Sequence, residues 1–209
     1  MKAETFFSAE EQKKIEAAIR EVETHTAGEV AVMVVDQSDT YPEARILAGV
    51  LLGSLLALIV ADLSFADSLW VFVPAAALFA MLIGWGVKFL PQVLRVFIPG
   101  TRLESRVQDR AERAFYEKGL YLTRDDTGVL FFLSLFERKV WILADKGIYT
   151  KISQEKLQEY AAEMAKGVKE GRAAERLCSE IKNVGDILAE HFPVKPDDTN
   201  EISNKIIVG

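Results

Sequence analysis

The sequence predicts an α/β (α+β) fold, a small mixed β-sheet sandwiched by helices, with a transmembrane helical hairpin inserted into it. Three observations carry that expectation. Half of the 209 residues are hydrophobic and 27% are charged, yet only Asp62, Asp67 and Lys88 carry charge between Ile46 and Leu90. The segment Glu29 to Asp36 (EVAVMVVD) has apolar side chains on both faces, as a strand covered on both sides requires. The order helix, strand, long crossover, strand, strand, helix, helix suits a mixed sheet with helices on both faces. A chain of this length makes one domain, or one domain with an appendage.

The elements follow in order. Ser8-Ala9-Glu10-Glu11 reads as a capping box, in which Ser8 and Glu11 satisfy each other's backbone donors. Ile15, Ala18, Ile19 and Val22 then form an apolar stripe on one helical face. Gly28 precedes the first strand. After the apolar segment, Thr101 is the expected N-cap of a helix that turns Leu103, Val107, Ala111 and Phe115 to one side and ends near Gly119. Gly128 to Phe136 and Val140 to Ala144 read as strands, and Glu137-Arg138-Lys139 between them is too short for a crossover, so they form an antiparallel hairpin. Two helices follow, from about Ser153 to Lys166 and from about Arg172 to His191, the second with Leu177, Cys178, Ile181, Val184 and Leu188 inward. The tail after Pro193 is expected on the surface or loose.

The apolar insertion consists of Ile46 to Ala61 and Leu69 to Phe89, joined by a link that contains Asp62 and Asp67. At 1.5 Å per residue the runs span about 24 Å and about 31 Å, against a hydrocarbon core of about 30 Å. Small residues recur at every fourth position, Gly49, Gly53, Ala57 and Ala61 in the first run and Ala76, Ala80 and Gly84 in the second. That spacing lets helix backbones approach closely in lipid, within one hairpin or between protomers. Arg45, Lys88, Arg95, Arg102 and Arg106 flank the open side, while the link has no Lys or Arg. The positive-inside rule then places both ends in the cytoplasm. Leu94, Phe97 and Ile98, with Arg95 and Arg102, are expected to rest on the interface as a short amphipathic collar. No signal peptide is read at the N-terminus, so its first residues are expected to be mature structure.

The chemistry is sparse. No G-x-G-x-x-G, G-x-x-x-x-G-K-[ST] or G-x-S-x-G motif occurs. His25 and His191 lack metal-ligand spacing, Cys178 falls on an apolar helical face, and a net charge of −6 argues against a nucleic-acid partner. One acidic constellation survives. In the expected hairpin Asp125 and Asp126 come beside Asp145, and a parallel first strand brings Glu29 to the same sheet end. Gathered carboxylates are hard-oxygen ligands suited to Ca²⁺ or Mg²⁺, held weakly; the plainer reading is solvated loop acids, with Asp126 serving a turn.

With these pieces placed, the chain resembles the TPM-domain family. The carrying stretches are Phe6-Phe7-Ser8, Thr26-Ala27-Gly28-Glu29-Val30, Arg113-Ala114-Phe115 with Gly119-Leu120, and Thr127-Gly128-Val129-Leu130. They continue with Arg138-Lys139-Val140-Trp141-Ile142, Asp145-Lys146-Gly147-Ile148 and His191-Phe192-Pro193. The resemblance covers roughly residues 6–40 and 100–200 and leaves the apolar hairpin outside it, so the chain is expected to form a discontinuous TPM-like domain over residues 1–42 and 93–195, a transmembrane hairpin over 43–92 and a tail over 196–209. It departs from the family's layout, because many members carry a signal peptide and a terminal membrane helix. The family's common Asp-Asn-Gly is Asp125-Asp126-Thr127-Gly128 here.

Functionally, the resemblance implies three readings: an accessory or scaffold protein of membrane complexes, a divalent-cation-dependent phosphatase of the acid-phosphatase kind, or a cation sensor. The first is favoured, with a LemA-type membrane protein or a second copy as partner and no nucleic acid. The expected place is the bacterial inner membrane, with the soluble domain facing the cytoplasm. A phosphatase would draw on Asp125, Asp126 and Asp145, with Arg124 or Lys146 for the phosphate.

Overall fold

Helix α1 (Ala9–Glu23) begins as the capping box dictates: Ser8 accepts from the Glu11 N–H, and the Glu11 carboxylate accepts from the Ser8 N–H at 2.8 Å. The computed structural model describes residues 2–63, 69–194 and 200–209. It divides into two compact units, Met1–Ser38 with Glu104–Gly209, and Asp39–Leu103.

In the first unit α1 leads into β1 (Glu29–Val35), every residue of which is buried. In the second unit come α2 (Pro42–Leu63), α3 (Leu69–Gly86) and the short α4 (Pro91–Val96). Helix α5 (Gly100–Glu117) starts one residue before Thr101, so Thr101 lies inside the helix and the Pro99 carbonyl receives the Leu103 N–H instead. Strands β2 (Gly128–Ser134) and β3 (Lys139–Ala144) form the expected antiparallel pair, and residues 135–138 make the turn. The four-residue α6 (Lys146–Tyr149), α7 (Gln154–Lys169, capped by Ser153) and α8 (Ala173–His191) follow.

The strand order is β3-β2-β1-β4, with β1 and β2 parallel and in register from Glu29 opposite Gly128 to Val35 opposite Ser134. The fourth strand corrects the expectation for the tail. Ile207–Val208 form β4, which pairs in parallel with Met33 and Val34, and the Gly209 N–H donates to the Val34 carbonyl. A buried strand cannot leave its outer amides unmet without a cost of about 1–3 kcal/mol each, and the last apolar residues meet part of that need.

Alternation along the strands separates two cores. Val30, Val32, Val34, Phe131 and Leu133 face α1, α7 and α8; Ala31, Met33, Leu130 and Phe132 face Val107, Ala111 and Phe115 of α5. The domain is therefore a mixed four-stranded sheet with helices on both faces. Helices α1 and α8 lie so close that a Cβ at Gly185 would stand 2.4 Å from a Val22 methyl. Cys178 is half-buried against the first core, and burial pushes its thiol pKa up, away from reactivity.

In the second unit α2 and α3 pack side by side. Leu94 and Ile98 are buried, at 6% exposure each, and Phe97 is half-buried, so the expected collar is not formed by them; Phe89, Leu90, Val93 and Val96 are among the exposed side chains there. Asp62 and Leu63 of the link belong to α2, and residues 64–68, Asp67 among them, lie outside the described residues.

Candidate functional site

The hairpin unit is built on an inversion of ordinary packing. Helices Pro42–Leu63 and Leu69–Phe89, the second finished by a 3₁₀ turn, are each long and apolar enough to cross a membrane. At 1.5 Å per residue their 22 and 21 residues reach about 33 Å and about 31 Å, enough for a hydrocarbon core of about 30 Å. Their large side chains point outward: Ile46, Leu51, Leu55, Leu58, Trp70 and Met81 are all more than half exposed. What they bury is small. Gly49, Gly53 and Ala57 are buried, whereas Ala61, Ala76, Ala80 and Gly84 are half-buried. A Cβ at Gly49 would fall 2.5 Å from the Ala80 carbonyl oxygen, and one at Gly53 would fall 2.4 Å from the Ala80 nitrogen. Gly49 and Gly53 thus meet Ala80 and Gly84 inside one hairpin, leaving the apolar outer surface uncovered. Pro74 stands within α3, a position that lipid-embedded helices tolerate better than soluble ones.

The acidic sheet end is less simple than the sequence suggests. Asp145 caps α6 and accepts from the Lys146 N–H at 2.7 Å, while its other carboxylate oxygen, Oδ2, is shielded from solvent without a hydrogen-bond partner. Asp126 adopts a left-handed backbone with φ of 55° and pairs with the Lys146 ammonium at 3.2 Å. Its carbonyl accepts from the Gly147 N–H, an approach so close that a Cβ at 147 would stand 2.6 Å from that oxygen. Asp125 is half-buried one residue before it. Glu29 is buried at this end but holds the C-terminal tail, its two oxygens accepting the Glu201 and Ile202 N–H groups at 3.0 and 3.2 Å. Among the described residues, no group of three or more His, Cys, Asp or Glu side chains is gathered closely enough to hold a metal ion. Lys146, the expected phosphate partner, pairs with Asp126, and the backbone N–H of Arg124 donates to the Glu201 carboxylate.

Two carboxylates escaped the sequence reading. Glu23 accepts from the Val30 N–H and from the Asn204 amide, and its pKa is pushed up to about 7. Burial is the main cause, with the charge of nearby Glu29 adding to it. Glu137, in the turn between β2 and β3, is fully buried and accepts from the Ser38 N–H and the Ser134 hydroxyl. Nothing in the local sequence distinguishes either from a surface acid.

These features define a class: a small α+β domain, four-stranded and helix-covered on both faces, with an apolar hairpin inserted in its first crossover. The family model for the TPM domain matches residues 91–179, from α4 to the first turns of α8, and the resemblance read in the sequence stands over that stretch. The NMR structure of the BA42 protein from the psychrophilic bacterium Bizionia argentinensis superposes with a TM-score of 0.61 at 23% identity, covering 98% of this chain and 96% of that one. At that identity the likeness is one of fold. No curated protein matches the chain.

Proposed function

We propose that this protein is a membrane-anchored accessory protein, whose hairpin holds a TPM-like domain against the cytoplasmic face of a bacterial inner membrane for assembly with other membrane proteins. One observation carries the reading: two membrane-length helices keep their large apolar side chains exposed and bury their small ones. In water, exposed patches beyond a few hundred Å² are an aggregation hazard; in lipid they are the solvated surface. The excess of Lys and Arg on the open side supports the cytoplasmic placement. A LemA-type protein or a second copy is the partner that the family resemblance favours.

Extraction and labelling test this. The full chain should stay with membranes in alkaline carbonate and come off in mild detergent. Single cysteines at Ser8 and Ser203, in a Cys178→Ser background, should be labelled only after the cytoplasmic side is opened. Labelling from the outside would reverse the orientation, and release by carbonate would end the membrane reading. Purification in mild detergent should then bring the partner along.

A weak divalent-cation site is a second reading, favoured by the unpartnered Asp145 Oδ2 beside Asp126. Ca²⁺ or Mg²⁺ would meet Asp145 first, and Asp125 and Asp126, which are not gathered closely enough to hold an ion as they stand, would have to close in around it, with Glu29 engaged by the tail. A hydrolase built on the same acids would need such a cation, so phosphatase activity stands or falls with it.

A further inference from the structure

The opposite end of the sheet from the acidic loops carries a pocket of 380 Å³, lined by Leu135, Val140 and Ala165 with Arg138, Lys139 and Lys169 among its walls. Its place follows from topology, since β1 and β2 are parallel and both end here, at Val35 and Ser134. In sheets with parallel strands, ligands gather outside the carboxyl ends of those strands.

Charge separates this pocket from the rest of the domain. The chain has 31 acids against 25 Lys and Arg, yet no acid lines the pocket and three cations do. The cations beside Lys169 in the chain are paired: Lys166 with Glu163 and Arg172 with Glu170. Lys139 pairs with Glu104 at 2.9 Å. Among the described residues Arg138 and Lys169 have no ion-pair partner. Both are exposed, so their heads stand at the mouth over an apolar floor.

The turn that presents Arg138 is held from beneath. The buried Glu137 accepts from the Ser38 N–H at 2.9 Å and from the Ser134 hydroxyl, and the Ser38 hydroxyl donates to Ser134 at 2.9 Å. Arg138 itself sits at φ of 52°, a left-handed conformation that a non-glycine residue keeps only where its surroundings hold it. A buried carboxylate anchors the turn, and the next residue offers an unpaired guanidinium over the cavity.

We propose that this pocket binds a small amphipathic anion, with an apolar tail of about eight carbons in the cavity and a carboxylate or phosphate head between Arg138 and Lys169. The same chemistry is available from a free medium-chain acid or from an anionic lipid. A neutral amphiphile would leave the two cations unmatched, and a bare anion would leave the apolar walls wet.

The test uses the full chain in phosphatidylcholine nanodiscs, read by the methyl NMR signals of Val140 and Val168 while octanoate is titrated. Octanoate should shift both methyls saturably, with octan-1-ol and acetate each binding at least about tenfold more weakly. Arg138→Gln or Lys169→Gln should weaken octanoate about tenfold each without altering the spectrum of the free protein. Ala165→Trp should fill the cavity and abolish the shifts while leaving both cations in place. Octanol binding as tightly as octanoate, or octanoate indifferent to Arg138→Gln combined with Lys169→Gln or to Ala165→Trp, would overturn the proposal. Discs containing phosphatidylglycerol decide the source. Lipid occupancy would pre-shift the same methyls and compete with octanoate; a site for free acid would titrate as before.

Discussion

Helices α3 and α8 have nearly the same length, 18 and 19 residues, and treat their apolar side chains in opposite ways. In α8 the stripe Leu177, Ile181, Val184 and Leu188 is wholly withdrawn from solvent, and the opposite side carries Glu175, Lys182 and Asp186. In α3 no residue is buried, and Trp70 and Met81 are 90% and 75% exposed. Helix α8 has a one-sided pattern and a core to place it against. Helix α3 is apolar around its whole circumference, and it approaches α2 most tightly where Ala80 and Gly84 lie against Gly49 and Gly53. The same hydrophobic drive therefore has two outlets: burial of a stripe where the pattern is one-sided, and solvation by lipid where it is not.

Breaking the stripe of α8 should have the largest effect. Ile181 is fully buried, so Ile181→Ala should cost about 2–5 kcal/mol in unfolding by denaturant, monitored on the sheet domain. The matching cut in α3 should behave in the reverse manner. Leu82→Arg places a charge on an exposed apolar face and should cost about 2.5–3.5 kcal/mol in membrane insertion, seen as carbonate release, with the denaturation of the sheet domain unchanged. Equal loss of sheet-domain stability in both variants would erase the contrast between the helices. At the small-residue seam, Gly53→Leu should push the two membrane helices apart by overpacking, at about 1–3 kcal/mol, and raise the proteolytic sensitivity of the hairpin in detergent. An unchanged digestion pattern would show that the seam does not hold the hairpin together.

Smaller effects belong to the acids. Glu23 has a folded pKa of about 7 against an ordinary 4.5, so the folded state holds its proton more tightly. Its contribution to stability is therefore complete below pH 4.5 and lost as pH rises through 7. Because the group is partly exposed, about 1 kcal/mol is expected across that window. Glu23→Gln should flatten the melting-temperature profile between pH 5 and pH 8, and a profile identical to wild type would dissociate Glu23 from it. Calcium at the Asp145 end should have the smallest effect, a weak calorimetric signal at about 10⁻⁴–10⁻³ M that Asp126→Asn with Asp145→Asn abolishes. Absence of heat in the wild type would leave Asp125, Asp126 and Asp145 as structural loop acids.

How far the sequence could be read depended on whether the signal was local. The capping box at Ser8 involves residues three apart, and both hydrogen bonds form. The β2–β3 pair follows from a short turn, and the α5 stripe from its spacing, although the helix takes Pro99 rather than Thr101 at its start. The acidic end was legible as a set of residues but not as a set of partners. Glu29 lies where the parallel register puts it, opposite Gly128, yet a tail more than 170 residues away occupies both its oxygens.

The amino-acid sequence by itself determined which of the longer segments are helix and strand, which helices have one apolar side and which have no polar side, because capping, periodicity and composition act over a few residues. Only the tertiary structure decided that Ile207–Val208 would become a strand, that Gly53 would meet Ala80 within one hairpin, and that Glu137 would be buried beneath Arg138. Each of those depends on a group distant in the chain arriving with the right donor, acceptor or empty space. A carboxylate in a short charged turn looks the same in sequence whether water or a buried serine meets it; the difference is made by Ser38 and Ser134, 99 and 3 residues away, closing over it.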